Sequence, residues 1–255
     1  MDILVLKLVL APVIIGSASL AGRRWGPAVS GWIVGMPLTS GPVIFFVALS
    51  HDAAFAADAA LGVISGGLSL ASYALTYAWL ARRFRWSIAL LGSFLVFGLI
   101  TMLLQSVTLP LLSMFLIVCG AIVLALRLMP KEPVEAGETR LGRWDIPSRI
   151  LIGTSFILLI TGSASWLGPR LTGLLTMIPL YVTILAIFAH RQQGPAAAAH
   201  VFRGLLYGMF AFAGFFITLS LLLENRGIAI SFLSAIVVTL AIQGTTLWIL
   251  RQKHD

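Results

Sequence analysis

Charged residues and cysteine are scarce in this sequence. Only 10% of its 255 residues are Asp, Glu, Lys or Arg, whereas soluble proteins typically carry about 25%. The single cysteine, Cys119, cannot form an intrachain disulfide, and no group of Cys and His has the spacing of metal ligands. These absences exclude a soluble globular domain and a disulfide-stabilised fold, and they predict no metal and no other cofactor.

Motifs of enzymes and of nucleic-acid-binding proteins are missing as well. The chain has no HExxH, no G-x-S-x-G, no Walker A sequence and no GxGxxG placed after a strand. Its 17 Lys and Arg residues outnumber the 9 Asp and Glu residues, but they lie between apolar runs and form no continuous basic stripe. We therefore expect membrane lipids and not nucleic acid as partners, and a transporter more readily than an enzyme.

Apolar residues, by contrast, make up 59% of the chain and occur in runs long enough to cross a bilayer. These runs predict an all-α polytopic membrane protein with about nine transmembrane helices. They cover approximately residues 3–20, 27–49, 54–81, 86–106, 109–128, 148–166, 169–190, 198–223 and 227–250. Only the connection at 129–147 is long enough to form a linker.

Basic residues alternate between the connections of the first five runs. They follow the first, third and fifth runs and are absent after the second and fourth; the residues are Arg23, Arg24, Arg82, Arg83, Arg85, Arg127 and those of the linker. By the positive-inside rule, this pattern predicts an N-terminus outside and a C-terminus in the cytoplasm. The abundance of Ala, Leu, Gly and Arg favours a bacterial inner membrane.

The two halves of the chain resemble each other. With an offset of 142 residues, 26–66 align with 168–208 without a gap, and 11 of the 41 positions are identical. Glycine and proline matches indicate a shared backbone geometry more strongly than alanine matches do. The alternative is a chance alignment of two Gly-rich apolar segments. The Gly and Pro identities are Gly26/Gly168, Pro27/Pro169, Gly31/Gly173, Pro37/Pro179, Gly62/Gly204 and Gly66/Gly208.

The repeat predicts an arrangement of four, one and four helices. The first repeat covers 1–106, a central helix and cytoplasmic linker cover 107–147, and the second repeat covers 148–255. Because an odd number of helices precedes the second copy, that copy is expected to be inverted in the membrane. Inverted repeats are a recurrent architecture of secondary transporters.

The second helix of each repeat carries proline near its middle, at Pro37 and Pro42 in the first copy and at Pro179 in the second. Proline removes a backbone donor and clashes with the preceding turn, so we expect both helices to be broken. The neighbouring hydroxyls are candidate substrate contacts, namely Thr39, Ser40, Tyr181 and Thr183. The alternative is a pair of ordinary kinks whose hydroxyls bond within their own helices.

Ionisable residues lie near the start of the third helix of each repeat. Asp58 aligns with His200, and Arg203 lies one turn further along. An ionisable residue within a span is costly and usually functional, so Asp58 and His200 are candidates for proton coupling and Arg203 for contact with an anionic substrate group. Alternatively, Asp58 complements the helix dipole, and His200 and Arg203 reach the membrane interface.

The stretch from Ser30 to Gly66 contains G-x(5)-P-L followed by an apolar helix that ends in His51. It resembles the small bacterial membrane proteins of the GlpM type, which have about the length of one repeat. The resemblance implies a fused pair of such proteins. It implies no activity and no site residue.

The leading hypothesis is a secondary transporter or translocator of a small solute or a lipid-linked substrate. Its site would lie between the two broken helices, and Asp58 and His200 would couple protons. A membrane-embedded enzyme acting on a lipid or isoprenoid is the first alternative, and it requires Asp58 and His200 within hydrogen-bond reach on one side of the membrane. A noncatalytic membrane assembly subunit is the second, and it requires no cavity.

Overall fold

The computed structural model describes residues 5, 8, 9, 12, 13, 16, 20, 36, 37, 40–107, 109–130 and 145–252. Regular structure in this part of the chain is entirely helical. The helices are α1 (Ser40–Ser50), α2 (Ala53–Leu80), α3 (Trp86–Ser106), α4 (Leu111–Leu128), α5 (Asp145–Leu175), α6 (Leu180–Gln193) and α7 (Pro195–Gln252).

Five helical segments among the described residues are long and apolar enough to cross a membrane. They are Ala53–Leu80, Trp86–Ser106, Leu111–Leu128, Ile146–Leu175 and Pro195–Thr245. These are the helices of an all-α membrane protein, as the composition predicts. The predicted number of nine spans stays a prediction, because residues 1–35 lie largely outside the described part and because α1 and α6 are too short to count by this measure.

Capping residues fix where the helices begin. The Asp52 carboxylate accepts a hydrogen bond from the Phe55 backbone N–H at 2.7 Å and so caps the start of α2. Pro110 precedes α4, where a missing backbone donor costs nothing. Helix α7 follows Gly194, whose φ of 89° is easily adopted only without a Cβ atom.

Two of the helices are interrupted at a glycine with positive φ. Gly168 (φ 74°, ψ 167°) divides α5, and Gly227 (φ 73°, ψ 170°) divides α7. The interruption in α7 reverses the chain, because Gly214 packs against Val238 and Ile242. A straight helix would hold Gly214 and Val238 about 36 Å apart. Helix α7 is therefore a hairpin with arms 195–226 and 228–252.

Helix α2 and the first arm of α7 form the centre of the bundle and run antiparallel. Phe202, near the start of α7, packs against Tyr73 and Tyr77 near the end of α2, with ring centroids 5.7 and 5.0 Å apart. Ser220, late in the same arm, bonds to the carbonyl of Ala57 early in α2 at 3.4 Å. The level of the contacts thus rises along one helix as it falls along the other.

The segment from Gly168 to the end of α6 runs parallel to α2 on another side. Arg170 and Gly173 lie against Gly62, whereas Met177 lies against Gly66, one turn later. Further on, Thr183 meets Tyr73 and His190 meets Tyr77. The α6 strand of the bundle therefore extends the α5 end in the same direction, beyond a break at residues 176–179.

Helices α3 and α4 lie at the periphery and expose apolar side chains along their outer faces, such as Leu91, Leu95 and Leu99 on α3. Only one stripe of each faces the bundle. The buried stripe of α3 comprises Ala89, Ser93, Phe97 and Thr101 with Leu104, and that of the second arm of α7 includes Ser231, Ala235, Thr239 and Gln243. The first four positions of the two stripes differ by the same 142 residues that relate the halves of the sequence.

Candidate functional site

Both predicted proline breaks occupy the same local structure. Residues 176–179 are not helical, and α6 begins directly after Pro179. The Thr183 N–H donates to the Pro179 carbonyl at 3.1 Å, and the Gly41 N–H donates to the Pro37 carbonyl at 2.9 Å. Since Gly41 and Thr183 are equivalent in the repeat, the two copies restart their helices in the same way.

The second break is closed by an aromatic cluster. The hydroxyls of Tyr73 and Thr183 share a buried hydrogen bond of 2.7 Å, which joins α2 to α6. The Tyr73 ring also packs edge-on against Phe94, Phe97 and Phe202, with centroids 5.1, 6.4 and 5.7 Å away. We call these five residues the aromatic plug.

The first break, in contrast, borders a cavity of about 350 Å³. The cavity lies between α1 and both arms of α7, and its lining is almost entirely apolar; it comprises Met36, Pro37, Gly41, Pro42, Phe45, Phe215, Phe232, Ile236, Thr239 and Leu240. The Thr239 hydroxyl is engaged with the carbonyl of Ala235 in its own helix. Ile236 and Leu240 are 46% and 61% exposed, so the cavity opens at the outer surface of the bundle.

The cavity and the plug occupy equivalent places in the two repeats. Phe215 lies against Gly41 just as its counterpart Tyr73 lies against Thr183. Ile236 and Thr239, which leave the cavity open, correspond to Phe94 and Phe97, which fill the plug. The difference in side-chain volume at these two pairs is the physical reason that one site is open and the other closed.

The predicted substrate contacts divide between the two breaks. Thr183 belongs to the plug, and Ser40 is buried at the start of α1. Pro37 and Pro42 line the cavity, and Pro179 precedes α6. Tyr181 lies in α6, where only its backbone is described, and Thr39 lies outside the described residues.

Most other hydroxyls in the described helices bond to carbonyls of their own helix. Examples are Ser65, Ser93, Thr161, Thr172, Thr218 and Ser231, each of which donates to the residue four positions earlier. This is the ordinary way for a hydroxyl to be satisfied in an apolar helix. The Tyr73–Thr183 bond therefore stands apart because it links two helices.

The structure does not bring Asp58 and His200 together. Both side chains are exposed, and they lie near the starts of two antiparallel helices, α2 and α7. Asp58 adjoins the level of Ser220, and His200 that of Tyr77. At an α-helical rise of about 1.5 Å per residue, they are roughly 28 Å apart along the bundle. The His200 ring bonds only locally, to the Ala196 carbonyl at 3.1 Å.

Arg203 is engaged with the backbone at the end of α4. Its guanidinium donates to the carbonyls of Met129 and Pro130 at 3.2 and 3.0 Å. These are unsatisfied acceptors at a helix C-terminus, where a cation is favourable. Arg203 thus lies at the end of the bundle, far from the cavity at the first break.

Sequence reasoning missed Tyr73, Phe215, Phe94 and Thr239, which distinguish the plug from the cavity. The signal was present, because each of these residues pairs with a counterpart at the offset of 142. It lies beyond residues 66 and 208, where the ungapped alignment was ended. Helix α3 begins at Trp86 and the second arm of α7 at 228, so the register continues without a gap.

Neither a protein-family model, nor a curated protein, nor a solved structure matches this chain. The resemblance of Ser30–Gly66 to GlpM-type proteins therefore contributes nothing to the site, and the functional argument rests on geometry.

Proposed function

We propose that the chain is a membrane translocator that moves a lipid-linked or other largely apolar substrate by alternating access between two inverted repeats of four helices. The observation that carries the proposal is the pair of equivalent proline breaks, one beside an open cavity and one closed by the aromatic plug. In an alternating-access carrier, equivalent half-sites exchange these two states.

The helix directions support the inversion. The third helices of the two repeats are α2 and the first arm of α7, whose starts differ by 142 residues. They run antiparallel, as inverted copies must if both cross the membrane. The full arrangement of nine helices, with the N-terminus outside and the C-terminus in the cytoplasm, is part of this proposal.

The lining of the cavity favours a hydrocarbon-bearing substrate over an ion or a hydrophilic solute. Its one hydroxyl, on Thr239, is already satisfied, and no charged side chain faces it. A charged solute would lose its hydration there without gaining a partner. A volume of about 350 Å³ is at the small end of ligand pockets, so we expect it to hold only part of a lipid.

The proposal is tested by exchanging equivalent residues of the repeats. Thr239→Phe places the side chain of Phe97 in the open cavity and is expected to slow translocation of a nitrobenzoxadiazole-labelled phospholipid in proteoliposomes several-fold. Leu233→Phe is the matched control, because Leu233 lies on the same arm but is 65% exposed on its outer face. Equal rates for both variants, or a wild-type rate no higher than that of protein-free vesicles, would contradict the proposal.

Proton coupling through Asp58 and His200 stays a separate prediction. With these residues at opposite ends of the bundle, each would serve one side of the membrane and not a shared site. Asp58→Asn and His200→Ala are expected to abolish the dependence of the translocation rate on an imposed pH gradient. Rates that keep that dependence in both variants would leave the translocator uncoupled from protons.

A further inference from the structure

Charge is unevenly distributed between the two ends of the bundle. One end, which we call the basic end, carries Arg82, Arg83, Arg85, Arg127, Arg191 and Arg203. Contacts join the helix termini there, since Trp79 donates to the Leu128 carbonyl at 3.1 Å and Arg191 lies over the ring of Trp86. The acidic side chains that the structure describes, Asp52, Asp58 and Glu224, all lie at the opposite end.

A pocket of about 290 Å³ opens at the basic end, lined by Trp79, Arg82, Arg83 and Pro195. It lies between the end of α2 and the start of α7. Both arginines are exposed, and the Arg82 guanidinium lies over the Trp79 ring at 5.3 Å. Two adjacent guanidinium groups, with no described carboxylate at this end, form a site for an anion, and their forked donors match phosphate oxygens.

The surroundings of the pocket are those of the membrane interface. Trp79 is 49% exposed, and an indole at a helix end is typical of the headgroup level. Directly beside it, α4 ends in an outward-facing apolar strip that includes Leu124 and Leu128, which are 56% and 49% exposed. A ligand here would meet cationic groups at one end and a hydrocarbon-compatible surface at the other.

We infer that this pocket binds the phosphate group of an anionic phospholipid, with Arg82 and Arg83 as the contacting groups and an acyl chain lying along the outer face of α4. Basic pockets between transmembrane helices recur as sites for anionic lipid headgroups. The site is distinct from the cavity at Pro37, which lies beyond the middle of the bundle, so its occupation does not depend on the translocator proposal.

The inference is tested on the full-length chain in an uncharged detergent by native mass spectrometry. Phosphatidylglycerol, phosphatidylcholine and inorganic phosphate serve as the three probes. The double variant Arg82→Gln/Arg83→Gln is expected to weaken phosphatidylglycerol binding roughly tenfold or more, since two arginine–phosphate contacts are lost. Phosphatidylcholine is expected to bind more weakly than phosphatidylglycerol to the wild type, and inorganic phosphate not to displace the lipid.

The matched control is Arg127→Gln/Arg226→Gln, which removes the same charge from exposed residues outside the pocket. Binding that falls equally in both double variants would show attraction to net charge only and would overturn the site. Displacement by inorganic phosphate, or equal binding of the two lipids, would overturn the lipid assignment. Arg82→Lys/Arg83→Lys, which keeps the charge but loses the planar fork, is expected to bind with intermediate affinity.

Discussion

At the scale of single residues, the closest approach in the bundle depends on three glycines. A Cβ atom on Gly173 would collide with the carbonyl oxygen of Ala59, and one on Gly62 with the carbonyl oxygen of Arg170. On Gly66 it would come within 2.6 Å of the Met177 side chain. Small residues in such crossings let backbones pack directly, which is a main source of helix association in lipid.

Gly173→Ala is therefore expected to destabilise the protein by about 1–3 kcal/mol, as overpacking does elsewhere. Gly120→Ala is the control, because nothing lies within 4 Å of a Cβ atom there. In a helix interior alanine is favoured over glycine, so the control is expected to be neutral or stabilising. Thermal unfolding in detergent measures both, and equal midpoints would contradict the close packing.

The Tyr73–Thr183 hydrogen bond is expected to contribute about 0.5–1.5 kcal/mol, in the range found for such bonds between membrane helices. Tyr73→Phe and Thr183→Val each remove one hydroxyl at nearly constant volume. A double-mutant cycle on unfolding in detergent isolates the coupling between them. Thr161→Val, which affects a bond within one helix, should show no coupling with Tyr73→Phe.

At the scale of elements, glycines with positive φ and prolines define the ends of the helical segments. The Gly227 reversal makes one run of helical residues into a hairpin, and the prolines divide helices that the hydropathy pattern presents as continuous. These interruptions place non-helical backbone inside the bundle, which a membrane tolerates only when it is covered by protein or faces a cavity.

Gly227→Ala is expected to destabilise the fold by about 1–2 kcal/mol, because an L-residue is strained at φ 73°. Gly244, later in the same arm, has open space around its Cβ position and no positive φ, so Gly244→Ala is the matched control. Chemical or thermal unfolding in detergent reports the difference. A loss no greater than that of the control would argue against the reversal at Gly227.

At the scale of the whole molecule, the antiparallel course of α2 and the first arm of α7 places equivalent turns at opposite ends. The turn after α1 lies at the end with the acidic side chains, whereas the turn after α6 lies at the basic end. Under the positive-inside rule the basic end faces the cytoplasm.

Single cysteines introduced into a Cys119→Ser background test this arrangement. Ser50→Cys and Glu224→Cys are expected to react with a membrane-impermeant maleimide from the outside of intact cells. Arg83→Cys and Arg191→Cys should react only after the membrane is permeabilised. Residues 50 and 191 reacting from the same side would remove the inversion and the alternating-access proposal with it.

Much of the element pattern followed from the chain alone. The predicted run 86–106 matches α3 residue for residue, and 54–81 differs from α2 by a single position at each end. Apolar runs of this length have only one stable form in lipid, since every backbone group must be bonded within the segment. The proline breaks were predictable for the same reason, because proline removes a donor wherever it stands.

The sequence determined the class of fold, the helical spans and the internal repeat, since hydropathy and backbone restrictions act locally. It did not determine which break is open. That depends on Phe94 and Phe97 reaching Tyr73 across helices, while Ile236 and Thr239 leave space beside Phe215. It also did not separate Asp58 from His200. Packing between distant helices decides both, because side-chain volume matters only where segments far apart in the chain meet.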